Sequence, residues 1–82
     1  MKTALLEKTV ENTIEKLQKL NANEALVSEL EWCLGSYRYD QNPAGLIEKS
    51  QTAYELLKTK KEENSRAVSQ KLLQDLEKIT LN

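Results

Sequence analysis

The chain has 82 residues with 12 basic and 13 acidic side chains, for a net charge of −1. So short a chain forms one domain, burying only roughly 60–65% of its unfolded surface. Balanced charge lacks the basic footprint of a nucleic-acid binder, a lone Cys excludes an internal disulfide, and no apolar run suggests a membrane span.

Good helix formers dominate, and two Gly, one Pro and no Phe leave little for strands or tight turns. The expected fold class is all-α. Met1–Thr13 shows no basic-then-apolar leader pattern, so a cytoplasmic protein is expected.

The first helix is predicted over residues 3–20. Leu6, Val10, Ile14, Leu17 and Leu20 recur at three- and four-residue intervals and fall on one stripe, opposite Glu7, Lys8, Glu11 and Glu15. Asn21 and Asn23 mark a turn, and Asn21 with Glu24 three residues on has the spacing of a capping arrangement.

The second helix, predicted over 23–38, has two non-polar sides. Leu26, Val27, Leu30, Cys33, Leu34 and Tyr37 form the main stripe, with Cys33 expected as a small, inert core residue. Ala25, Ser28, Trp32, Gly35 and Tyr39 lie on the reverse side. Such a helix is either buried on both sides or shows one of them to a partner.

Asn42 is placed to cap a third helix over 43–61, with Pro43 as its first residue and Leu46, Ile47, Ala53, Tyr54, Leu56 and Leu57 along its apolar arc. Ser50 interrupts that arc. A fourth helix over 65–80, capped by Asn64 or Ser65, carries Val68, Leu72, Leu73, Leu76 and Ile79. No Gly or Pro separates the last two. A straight continuation, however, would place Lys61, Asn64 and Ser65 on the apolar stripe, which argues for a break. The expected architecture is a small antiparallel up-down four-helix bundle. The alternative is three helices, the last long and bent, completed by dimerisation.

Catalytic chemistry is sparse. With no His there is no common general base or metal ligand, and one Cys cannot hold zinc alone. Glu7, Glu11, Glu15, Glu48 and Glu55 point away from the stripes, and Asp75 reads as a boundary residue beside Lys71 or Lys78. No enzyme activity, cofactor or metal is expected. The run Lys58-Thr59-Lys60-Lys61 is followed by Glu62-Glu63 and reads as a solvated surface, with Glu62 able to pair with Arg66.

The segment Trp32–Leu46 holds the only Trp, the only Cys, the only Pro, both Gly and two of three Tyr. Two readings fit it. Trp32 fills space between helices, Gly35 admits a close neighbour, and Asp40–Pro43 is turn chemistry. Alternatively Trp32, Tyr39 and Arg38 form a partner contact rimmed by Asp40 and Asn42, since Trp, Tyr and Arg are enriched in binding hot spots.

The turn Tyr39, Asp40, Pro43, Leu46, Ile47, with the four-helix pattern, resembles the small bacteriocin immunity proteins. That resemblance covers one turn and the general shape. It implies a cytoplasmic helical bundle that works by binding a protein partner. The functional expectation is a non-enzymatic protein-interaction module, with an immunity-like or regulatory protein and a self-assembling dimer as its alternatives. No nucleic-acid or membrane partner is expected.

Overall fold

The computed structural model describes residues 2–80, and its four helices are α1 (Lys2–Lys19), α2 (Glu24–Asp40), α3 (Ala44–Glu63) and α4 (Gln70–Thr80). Each packs against the helix before and after it, and α4 closes the ring against α1. This is the expected four-helix bundle, with α3 and α4 separate.

Antiparallel order can be read from the side chains. Tyr54 of α3 meets Glu77 of α4, and Gln51, three residues earlier, meets Thr80, three residues later. Arg38 near the end of α2 reaches back to Glu7 and Glu11 in α1.

The predicted stripes form the core. Val10, Leu17, Leu30, Leu46, Leu57, Val68 and Leu76 are fully enclosed, and Leu6, Ile14, Leu26, Val27, Leu34, Tyr37, Leu72 and Leu73 are buried around them. Each enclosed Leu contributes about 1.5–3 kcal/mol relative to exposure, so no stripe is dispensable in so small a domain. Cys33 is only half-buried; it packs against the core edge rather than within it.

Helix ends show where local chemistry departs from expectation. Asn21 is not the cap of α2. It takes a left-handed conformation (φ 48°) and closes α1, with its N–H donating to Gln18 O at 3.2 Å and that of Ala22 to Leu17 O at 3.1 Å. This is the Schellman closure, with Asn in the usual Gly place. Asn23 caps α2 instead, accepting the Leu26 N–H at 3.0 Å. At the next joint the expectation is off by one residue: Pro43 takes the N-cap position of α3, with no side-chain cap bond, the helix begins at Ala44, and Asn42, one residue further out, accepts the Ala44 N–H at 3.1 Å.

The fourth helix starts five residues later than expected. Asn64 ends α3 in an extended conformation, and its side chain accepts the Arg66 N–H. The cap of α4 is Ser69, whose Oγ accepts the Leu72 N–H at 3.1 Å. Val68 is buried from the connecting loop, not from the helix. Lys61 secures that loop by donating to Ser65 O at 3.3 Å and Val68 O at 3.1 Å. Because α3 stops at Glu63, Arg66 is not one helical turn beyond Glu62, and the expected pair does not form.

Candidate functional site

The two-sided character of α2 resolves in one direction. The main stripe enters the core, while Ala25, Ser28, Trp32, Gly35 and Tyr39 are all exposed. Trp32 keeps 78% of its surface in solvent and Tyr39 keeps 93%. Trp32 therefore does not fill an interhelical space. Nor does Gly35 admit a neighbouring helix, since a Cβ built there would meet nothing within 4 Å. The ring order explains both results: α1 and α3 flank α2, and no helix covers its outer side.

The five singled-out residues divide among three settings. Trp32, Asp40 and Asn42 come together on the α2–α3 side, lining a shallow groove with Ser36, Gly45 and Leu46. Arg38 lies on the other side, in a groove of about 340 Å³ with Glu11, Glu31 and Gly35. Tyr39 stands out from the end of the helix and lines neither.

Local duties account for part of this set. Asp40 Oδ1 accepts the Asn42 N–H at 2.9 Å, and Asn42 Oδ1 accepts that of Ala44, two successive turns steering the chain from α2 into α3. Gln41, between them, is left-handed (φ 62°), its N–H donating to Tyr37 O at 2.7 Å. Arg38 donates through Nε to Glu7 at 3.2 Å and through Nη2 to Glu11 at 3.0 Å. Those bonds, that to Glu7 first, raise its pKa above the ordinary guanidinium value, so its charge is committed to the α1–α2 seam. Across the α2–α3 seam Lys49 pairs with Glu29, which raises the lysine pKa.

Trp32 and Tyr39 have no such duty. They lie seven residues apart on a helix fixed along its inner side by five buried residues. Exposed aromatics on a rigid support are suited to packing against another surface. Among the described residues no group of three or more His, Cys, Asp or Glu side chains is placed to hold a metal ion. No described helix is long and apolar enough to cross a membrane.

Sequence reasoning missed the carboxylates bordering this face. Glu24 lines a groove beside Ser28, and Glu31 one beside Gly35. The signal was present: apart from Arg38, every charged residue of α2 is acidic. The chain matches no protein-family model, no curated protein and no solved structure. Its likeness to the bacteriocin immunity proteins rests on the turn and the helix pattern alone.

Proposed function

We propose that this protein is a non-enzymatic interaction module that binds a protein partner through the outer face of α2, with Trp32 and Tyr39 as anchors. One observation carries this: the largest aromatic of the chain and a tyrosine share an exposed helical face whose exposure serves no packing within the bundle. Folding could have used Trp32 as core in a domain with no Phe, yet the core is closed without it. Aromatic anchors of this kind dominate binding when covered, and truncating one costs an interface about 2–4 kcal/mol. Asp40 and Asn42 supply a polar rim beside Trp32, whereas Arg38 contributes its exposed edge while held by Glu7 and Glu11. A lone cysteine and a bundle closed without disulfides are in keeping with a cytoplasmic setting.

Site-specific photo-crosslinking in the native cell tests the proposal. A photoreactive phenylalanine analogue at position 32 should trap one discrete protein partner, and the same analogue at Lys58, exposed on α3, should not. Equal labelling at both positions, or none at 32, would overturn it.

A further inference from the structure

We infer that the partner presents a positively charged amphipathic segment, apolar on one side and rich in Lys or Arg at its edges, which lies along the outer face of α2. This rests on the interaction reading above and adds the partner's chemistry.

Charge along the face is predominantly acidic, with Glu24, Glu31 and Asp40 against the single base Arg38. Glu24, Glu31 and Asp40 are exposed and form no ion pair among the described residues; Asp40 lines the shallow groove that holds Trp32, while Glu24 and Glu31 line two grooves on the α1 side, beside Ser28 and Gly35 of the same face. The one base of α2, Arg38, is held by two glutamates, and Lys49 is held by Glu29. An approaching cation therefore meets three unpaired carboxylates, and the one base beside them, Arg38 in the Glu31 groove, already has its charge engaged by Glu7 and Glu11.

Two of the three acids also serve the fold. Glu24 favours the positive end of the α2 dipole, and Asp40 shapes the following turn. Glu31 does neither. It sits mid-helix, one turn from both the Ser28 and Gly35 backbones, where small residues leave the groove open. Ala25, Ser28, Trp32, Gly35 and Tyr39 follow at alternating three- and four-residue intervals, the seam along which a second helix packs. Exposed Trp and Tyr rings beside carboxylates also suit Lys and Arg through ring-face attraction.

The same charges disfavour a second copy. A two-fold, antiparallel pairing centred on Trp32 brings Glu31 close to its own counterpart, while Arg38 of each copy stays engaged by Glu7 and Glu11. They equally disfavour anionic surfaces such as phosphate backbones.

The test uses the whole chain and a synthetic amphipathic helix with leucines on one face and lysines on the other, read by Trp32 fluorescence and acrylamide protection. Saturable protection is expected, weakened about tenfold or more by Glu31→Lys and abolished by the pair Trp32→Tyr, Tyr39→Ala as followed by calorimetry. Glu55→Lys, the same charge change on the exposed side of α3, should leave affinity nearly unaltered. Equal losses from the two charge changes would reduce the effect to net charge and overturn the inference. Equal binding of a peptide with glutamates in place of lysines would also overturn it, while the crosslinking result at position 32 would still stand or fall separately. Concentration-dependent protection of the chain alone, persisting in high salt, would make a second copy the occupant and refute the basic partner.

Discussion

Tyr37 and Tyr39 stand two residues apart on α2 and on opposite sides of it: the first keeps 4% of its surface in solvent, the second 93%. One ring belongs to the fold and the other does not. Tyr37→Ala should therefore cost about 3–5 kcal/mol, as for other large aromatic deletions in a core. Tyr39→Ala should change stability by no more than about 0.5 kcal/mol. Denaturant melts of the two variants compare them directly. Similar losses would mean that the outer face is covered within the bundle.

Ser50 points to a stabilising change. It is fully enclosed on α3, and its Oγ has no hydrogen-bond partner among the described residues. A buried, unpaired hydroxyl costs about 1–3 kcal/mol. Ser50→Ala removes the hydroxyl while barely altering volume, so a rise of roughly 0.5–2 kcal/mol in unfolding free energy is expected on that basis. A loss of stability would show that the hydroxyl is satisfied in solution.

The Arg38–Glu7–Glu11 cluster ties α2 to α1 at the surface. All three groups face water, so salt should screen their attraction. Arg38→Gln should lower the melting temperature slightly at low ionic strength, and the difference should shrink as salt is added. A salt-independent loss would assign Arg38 a packing role instead.

Tyr54 links α3 to α4 by donating its phenolic O–H to Glu77 at 2.6 Å. That bond, with a smaller contribution from burial, raises the phenol pKa above its ordinary value near ~10. A raised folded-state pKa means that the stabilisation is complete below the unfolded value and disappears as pH rises through the folded one. Above about pH 10, stability of the wild-type chain should fall more steeply than that of Tyr54→Phe. The phenolate absorbance difference between them should report a late-ionising tyrosine. Identical alkaline profiles would refute the link.

Much of this molecule is legible in the sequence because its stripes are regular. Leu6 to Leu17, Leu26 to Tyr37 and Leu72 to Leu76 reach the core as their spacing requires. The α4 start at Gln70, five residues beyond the position its periodicity predicts, has a physical reason. Asn64, Ser65 and Ser69 are all competent caps, and Val68 fits a helical period although it is buried from a loop. What decides among them is long-range packing and Lys61, whose reach to two loop carbonyls leaves no mark in the pattern. Similarly, periodicity shows that α2 has two non-polar sides. It does not tell which side has a neighbour, because that depends on the ring order of the whole bundle. Gly35 illustrates the point: its small size suits a close helix neighbour, yet it faces open space.

The most direct test of an open binding face is acrylamide quenching of the single tryptophan, Trp32, across a wide dilution series. A side chain with 78% of its surface exposed should be quenched almost as efficiently as a free indole at every concentration, with no dependence on dilution. Protection of Trp32 in the isolated chain would contradict it, because the face proposed to await a partner would already be covered.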